Sequence, residues 1–552
     1  MRTLLFIFIG ICITACAQSQ TITENQQEQI NKLFSRWNKP NSPGMSIGVV
    51  RNGEMIYSKG YGLSNLEHTI ANTPNTAFNI ASNGKQFTAA AIILLSKKGK
   101  LKLNQSVKDI FPEFPNYFKN ITIKHLLHHT SGLRDFSQIT YLSGLRSDDY
   151  YNDDDILKWI KNQKSLNFDP GEEFLYSNSN YWLLGQIVEK VSGTSLAKFA
   201  KKEIFDPLKM ENTNFIDNNS IIIKNRASGY STSRQRGLRN IISTLEHTGN
   251  GGVYTTVNDL KKWIDIYSEK TVLNTNFWEL MTTKGKLNNG KEIEYACALE
   301  IRKYKGLPTI EHGGRAPGYL SDIISFPKEN FSVIVLTNIT NTNATQLGYQ
   351  IADIFLEEKY KQTKKVEEKR HKIIAVKTKD LTKNVGSYWN AKDSYSRKIE
   401  LKNDTLVYAR TPRSSNKLLA VSNNKFKMMN TPPGLNVFVK FPTNNTMAFI
   451  ENGEEVANFS KYQSVEYTNE MLENYTGIFY SKEISTQYEL RKNKKGLELL
   501  INGRRAVPLT PVMSNLFNSP MATFKFSEVN GKVVSFKVST PRVKNLMFKR
   551  TD

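Results

Sequence analysis

Phe78-Asn79-Ile80-Ala81-Ser82-Asn83-Gly84-Lys85-Gln86-Phe87-Thr88-Ala89-Ala90-Ala91-Ile92 sets a serine and a lysine three residues apart at the mouth of an apolar run. Residues three apart share one helix face, so the Lys85 amine can lie beside the Ser82 hydroxyl. A helix N-terminus also favours the negative charge that develops on an attacking oxygen. Ser82 is therefore a candidate nucleophile, a weak alcohol activated by a neighbouring base. The continuation over 87–95 is apolar on nearly every face, the pattern of a helix enclosed by a domain rather than resting on its surface. A lysine leading into such a helix needs a chemical reason. The spacing alone is weak, because Ser-x-x-Lys arises by chance in many chains, so the surrounding sequence has to decide.

Around this helix the chain reads as an α+β domain. A polar amphipathic segment over 24–37 precedes two strand-like runs, 45–50 and 55–62, joined by Asn52-Gly53, the signature of a type I′ hairpin. A second strand pair, 319–326 and 331–336, is separated by Pro327-Lys328-Glu329-Asn330 and followed by a helical pattern from Asn343 to about Glu358. Strands at both ends enclose a helix-rich middle, with helices expected near Leu94, Leu126, Ile156, Leu183 and Leu260. The first and last strands can then share one antiparallel sheet. The domain is expected over 18–358, followed by a charged connector at 359–379 that carries nine Lys or Arg against Glu367 and Glu368. From 380 to 552 short alternating runs such as 396–406 and 534–538, broken by Asn, Asp, Gly and Pro, predict an all-β region. Leu381, Gly386 and Tyr388 are echoed ninety-one residues later by Leu472, Gly477 and Phe479, which fits either two similar β units or two halves of one barrel.

At 552 residues, two or three domains are expected. Residues 1–17 open with Arg2 and an apolar core from Leu4 to Ile13, too short to span a bilayer comfortably and typical of a secretory signal. The protein is expected to be exported, to a periplasm or cell envelope. Ile13-Thr14-Ala15-Cys16 fits a lipoprotein box with a lipidated, membrane-attached Cys16, while Ala15-Cys16-Ala17 fits ordinary cleavage before Gln18. Cys12 and Cys16 fall in this leader and leave Cys297, so no internal disulfide framework is available. The formal charge of +24 attracts polyanions. No nucleic-acid-binding motif accompanies it, and export points to an anionic envelope surface instead.

Two further segments add chemistry. Asp169-Pro170-Gly171-Glu172-Glu173-Phe174-Leu175-Tyr176-Ser177-Asn178 places Tyr176 and Asn178 two apart in a loop, pointing the same way. A nearby lysine could lower the Tyr176 phenol enough for it to act as base for Ser82 and later as acid to the leaving group, while Asn178 fixes Lys85 or a substrate amide. Ile310-Glu311-His312-Gly313-Gly314-Arg315 lets a substrate backbone approach a strand edge. Backbone N–H groups of Ser82 and Arg315 can then face an oxyanion. His312 could orient a substrate carboxylate or assist Tyr176. The histidines at 125, 128 and 129 share a helix face but bring no carboxylate, so no metal site is expected, and Gly285-Lys286-Leu287-Asn288-Asn289-Gly290-Lys291 lacks the hydroxyl of a phosphate loop.

Taken in order, Ser82 to Lys85, Tyr176 to Asn178 and His312-Gly313-Gly314 resemble the three motifs of the serine β-lactamase and penicillin-binding-protein superfamily, in its class C β-lactamase-like branch. Gly249-Asn250-Gly251-Gly252 and the Asp169-Pro170-Gly171 turn are similar to further family segments, and the resemblance spans roughly 25–358. It implies a β-lactamase/transpeptidase-like fold, an antiparallel sheet flanked by helices with a helical subdomain. It also implies a cofactor-free serine hydrolase whose Ser82 forms an acyl-enzyme, with Lys85 and Tyr176 moving protons and Asn178, His312, Gly314 and Arg315 binding substrate. His312 stands where efficient β-lactamases carry a carboxylate-binding lysine, so esterase-, carboxypeptidase- or D-aminopeptidase-like action on small-molecule or peptidoglycan-derived peptide substrates is expected ahead of β-lactam hydrolysis. The alternative is a non-catalytic or very slow penicillin- or peptidoglycan-binding protein of the same fold.

Overall fold

Asn52 and Gly53, with φ of 52° and 79°, close the hairpin between β1 (Met45–Arg51) and β2 (Glu54–Tyr61), as a type I′ turn requires. This is seen in a computed structural model that describes residues 22–551 except 147–148, 234–235, 245, 267–275, 368–371, 412–413, 432–434 and 495. The leader at 1–17, with Cys16, lies outside the described residues. Four later strands complete the sheet: β3 (Glu300–Tyr304), β4 (Leu307–Ala316), β5 (Tyr319–Phe326) and β6 (Phe331–Thr337). The order is β3-β4-β5-β6-β1-β2, antiparallel throughout, and β1 lies against β6 in the register Met45 to Thr337 and Arg51 to Phe331. The first and last strands of the domain are neighbours, as their sequence placement predicts.

Every residue of β5 and β6 is buried, because both faces of the sheet are covered. Strand alternation sends Leu320, Ile324, Val333 and Val335 towards α1 (Glu24–Phe34) and α5 (Ala344–Glu367), and sends Ile323, Ile334 and Leu336 towards the helical middle. That middle contains α2 (Lys85–Lys97), buried from Lys85 to Leu95, α3 (Phe136–Leu142) and α4 (Asn178–Ser192). α5 runs on to Glu367, past the 358 boundary read from sequence, so the charged connector begins as helix.

The β-rich region is two closed eight-stranded barrels, 386–462 and 477–550. The ninety-one-residue echo marks matching places in them. Leu381 and Leu472 sit on a short helix before each barrel, and Gly386 and Gly477 open each first strand. The run at 396–406, read as one strand, is broken at Asn403 and Asp404, whose positive φ turns the chain between Tyr395–Lys402 and Thr405–Thr411. The first barrel has its own core around Tyr388, Ile399 and Val439. The second does not, for Phe479, Tyr488, Phe536 and Phe548 are continuous with the core of the helical middle. Tyr488 donates to the Leu142 carbonyl (2.7 Å) and Asn502 to that of Ser143 (3.2 Å), seating this barrel on the end of α3.

Candidate active site

Ser82 occupies a 3-10 turn, Ala81–Gly84, that leads into α2. Ala81 holds φ of 50°, an uncommon conformation for a residue with a side chain, and it sits immediately before the serine. The turn is pinned to the sheet. Ser321 on β5 donates to the Ile80 carbonyl (2.7 Å) and accepts from Asn83 Nδ2 (2.8 Å). Gly314 makes this approach feasible, since a Cβ there would stand 2.1 Å from Ile80 O and 2.3 Å from Ser321 Oγ. β3 covers β4 only as far as Glu311, so among the described residues the 312–316 edge of β4 has no strand on that side. That open edge carries Gly314 and Arg315, the latter with an exposed side chain.

Lys85 is fully buried, with Nζ 3.0 Å from Ser82 Oγ, 2.9 Å from Asn178 Oδ1 and 2.5 Å from Asn250 O. Burial pushes its amine well below the ordinary lysine range; Asp135 opposes the shift and Arg542 adds to it. If the neutral amine gives its two hydrogens to Asn178 and Asn250, its lone pair faces the Ser82 hydroxyl. Tyr176 packs beside it, 5.0 Å from Nζ to ring centroid. Its phenol is pushed up, not down: enclosure outweighs the lowering by the Ser82 hydrogen bond and by Arg542. This departs from the lowered phenol expected from sequence: desolvation by the packed surroundings, which include the rings of His129 (4.3 Å) and Tyr295 (6.2 Å), outweighs the favourable neighbours.

His312 is buried and takes part in a directed chain. The Ser177 N–H and Asn180 Nδ2 donate to His129 Nδ1 (3.2 and 3.1 Å), and His129 Nε2 and His312 Nε2 both meet the Tyr295 hydroxyl, at 3.2 and 3.1 Å. His312 Nδ1 donates to the Gly313 carbonyl (2.7 Å). One set of tautomers satisfies all of these bonds: His129 donates to Tyr295, and Tyr295 donates to His312. His312 is thereby neutral, and burial pushes it down to about 3. It lies 6.2 Å from Tyr176, centroid to centroid.

Several site residues escaped the sequence reading. Asp135 caps α3 through the Ser137 N–H (2.8 Å) and accepts from Asn178 Nδ2 (3.2 Å). Arg542, from the second barrel, donates to Asp135 Oδ2 (3.1 Å) and lies over Tyr176 at 4.7 Å from the ring centroid. Asn250 and His129 stood in stretches noted for other reasons, whereas Tyr295 and Arg542 carry no local signal. Gly44-Met45-Ser46-Ile47-Gly48 spells the Gly-x-Ser-x-Gly pattern of a nucleophile elbow, a pattern that the sequence reading wrongly counts as absent from the chain. Ser46 is buried within β1 and donates to the Thr73 carbonyl (2.7 Å), so it is no elbow. The three histidines are otherwise engaged: His125 bonds the Thr122 N–H, His128 faces Cys297, and His129 joins Tyr295.

A family model described as Beta-lactamase matches residues 26–354. The chain belongs to the beta-lactamase family. This is a family of serine hydrolases, and the span covers the sheet, α2 and the three motif segments. Protein flp of Staphylococcus aureus (strain N315) is 31% identical over 345 residues, covering 59% of this chain and 66% of that protein, just under two thirds of its length. A D-aminopeptidase of Gluconobacter oxydans (strain 621H) is 27% identical over 296 residues, covering 54% of this chain and 56% of the relative. An octameric penicillin-binding protein homologue from Pyrococcus abyssi shares the fold with a TM-score of 0.55 at 23% identity, covering 79% of this chain and 99% of that structure.

Proposed function

We propose that the protein is an exported serine hydrolase that acts on ester or amide carbonyls through a Ser82 acyl-enzyme. The observation that carries this reading is the buried Lys85 amine, 3.0 Å from Ser82 Oγ and driven towards its neutral form. Ser82 Oγ attacks the carbonyl carbon while its proton passes to Lys85 Nζ, and the carbonyl electron pair moves onto oxygen, met by the N–H groups of Ser82 and Arg315. Collapse of that adduct expels the leaving group, which takes the proton back from Lys85 through the protonated Tyr176 phenol. Water then attacks the acyl-enzyme, giving its proton to the same base, and Ser82 leaves reprotonated. Asn178 and Asn250 hold Nζ in place throughout.

Similarity to a D-aminopeptidase supports amide or peptide substrates, including peptidoglycan-derived ones, and the neutral His312 argues against a carboxylate-binding cation at that position. The apolar leader at 1–17, with Cys16 as a candidate lipid anchor, supports export, and the charge of +24 supports residence near an anionic envelope surface. The test is intact-mass detection of a covalent adduct formed with a slowly turned-over ester or a penicillin. Ser82→Ala is expected to abolish the adduct, and labelling retained elsewhere overturns the assignment. An adduct that forms and never turns over favours a penicillin- or peptidoglycan-binding role. A turnover panel of D-alanyl peptides, D-amino-acid amides, small esters and β-lactams, run beside His312→Lys, reads the substrate class.

A further inference from the structure

Arg542 enters the Ser82 site from a different part of the chain than every other residue there. It sits at the turn between the last two strands of the second barrel, Lys532–Thr540 and Val543–Arg550. Thr540 Oγ1 accepts from the backbone N–H of Arg542 (3.3 Å) and of Val543 (3.1 Å), which fixes the turn. The Arg542 carbonyl accepts from the Asp135 N–H (3.3 Å) and from Asn167 Nδ2 (3.1 Å). The backbone is thus locked against the lip of the site and the guanidinium is aimed across Tyr176.

Two other basic groups of the site, Lys85 and His312, are committed. Lys85 is enclosed by three partners, and both nitrogens of His312 are used within the protein. Arg542 differs. Its side chain is 39% exposed, Nη1 bonds Asp135, and among the described residues Nε and Nη2 have no hydrogen-bond partner. A guanidinium presents five donors in a planar fork suited to a carboxylate, so the three on Nε and Nη2 remain available to a ligand. A purely structural strut would be redundant here. Arg134 with Glu483 (2.7 Å), Lys544 with Glu173 (3.1 Å) and Tyr488 with Leu142 already hold the barrel in place.

We propose that Arg542 is a substrate-binding residue of the Ser82 site, which takes a carboxylate on the flank of the substrate that lies along Tyr176. This rests on the hydrolase reading and deepens it: the second barrel makes the site selective for anionic esters, amides or peptides. The position one phenol ring from Ser82 places the carboxylate a few bonds from the scissile carbonyl. Asp135 holds the guanidinium in orientation through one edge and leaves the other edge to the ligand. Because Asp135 also bonds Asn178, which bonds Lys85, anion binding and the catalytic amine share one hydrogen-bonded path.

The experiment uses the full chain with two matched ester pairs. In one pair the carboxylate is on the acyl side, mono-p-nitrophenyl adipate against p-nitrophenyl valerate. In the other it is on the leaving side, meta-butyryloxybenzoate against phenyl butyrate. In at least one pair the wild type is expected to favour the anionic member, and Arg542→Gln to lower the ratio of kcat/KM values about 10- to 100-fold, mostly through KM, the range of a charged hydrogen bond. Arg542→Lys should recover part of the ratio, and added salt should erode it in the wild type. Equal losses on both members of both pairs overturn the proposal, as does a wild type without anionic preference. A ratio that falls in Arg315→Gln and not in Arg542→Gln also overturns it. Neutral-ester turnover that survives in Ser82→Ala removes the hydrolase reading and this proposal with it, whereas Ser82-dependent turnover with an unmoved ratio removes this proposal alone. Matched melting temperatures of the Gln and Lys variants show that the barrel is still seated.

Discussion

Glu483→Ala is expected to be among the most damaging single substitutions in the second barrel, although the residue lies far from Ser82 in sequence. Its carboxylate is 6% exposed and the Arg134 guanidinium it meets at 2.7 Å is 1% exposed. Arg134 also donates to Ser165 and, through Nε and Nη2, to the Lys544 carbonyl at 3.2 and 2.9 Å. Burial pushes the Arg134 pKa down and the Glu483 pKa up, with each partner only in part restoring the other. Desolvation therefore outweighs the attraction, and the pair contributes chiefly by keeping each charge from being buried alone. Removing Glu483 leaves the guanidinium in that position, at a cost of about 3–5 kcal/mol. Replacing both residues with methionine should restore most of that loss.

A double-mutant cycle of Arg134→Met, Glu483→Met and the pair, measured by urea denaturation, checks the argument. All six tryptophans lie outside the second barrel, so their fluorescence follows the rest of the molecule. Arg134 is the neighbour of Asp135, so the single variants should also lose Ser82-dependent ester turnover, by about 10-fold or more, as the site geometry loosens. Single variants that cost under about 1 kcal/mol, or a cycle that is additive within about 0.5 kcal/mol, would refute the reasoning.

Gly314→Ala should lower the melting temperature and abolish acylation, since its Cβ collides with Ile80 O at 2.1 Å and the nucleophile turn has to move; calorimetry together with adduct mass reads both effects. Tyr295→Phe cuts the bonds to His129 and His312 and is expected to cost about 1–3 kcal/mol, with reduced kcat, measured by denaturation and ester turnover. Burial holds His128 and His247 down to about 4 and His312 to about 3. Between pH 6.5 and about 4 the unfolded chain therefore binds protons that the folded protein does not, and stability should fall with falling pH by about 1 kcal/mol per unit for each imidazole, seen as a declining melting temperature. Because Arg542 helps to hold Lys85 down, Arg542→Gln should move the acid limb of the kcat/KM profile to higher pH, and an unmoved limb would deny Arg542 any influence on the amine.

The hairpin at Asn52-Gly53, the β5–β6 pair and the largely apolar α2 were legible because local chemistry and tertiary structure agree there: turn residues with positive φ, strands buried on both faces and a helix buried from Lys85 to Leu95. Ser82, Lys85, Tyr176 and Asn178 were legible because each keeps a fixed offset within a short segment, and the fold brings those segments together through the Lys85 bonds. The protonation states were not legible. A nearby lysine argues for a lowered phenol, but the desolvation that raises Tyr176 comes from tertiary surroundings, among them the rings at 129 and 295, whose positions no spacing rule gives. His312 likewise reads as a basic residue until Tyr295 and the Gly313 carbonyl take both of its nitrogens.

Arg542 is the residue that local reading missed most completely, and the internal repeat shows what could have found it. The two barrels have the same strand count, and their last hairpins correspond. In the first barrel Glu451 pairs with Glu454 across Asn452-Gly453, while in the second Thr540 pairs with Val543 across Pro541-Arg542. Asn452 and Gly453 have φ of 49° and 93°, the ordinary low-cost turn of a twisted hairpin. Proline at 541 forbids that turn, because its ring fixes φ near −65°. The second barrel's hairpin therefore uses a different turn, supported by the Thr540 side chain. At this turn the two barrels therefore differ, with asparagine and glycine in one and proline and arginine in the other. In this molecule that turn is the one that reaches Asp135 and Tyr176, so the barrels share a fold and differ in placement: one closes on its own core, and the other shares its core with the helical middle and brings a guanidinium beside Tyr176.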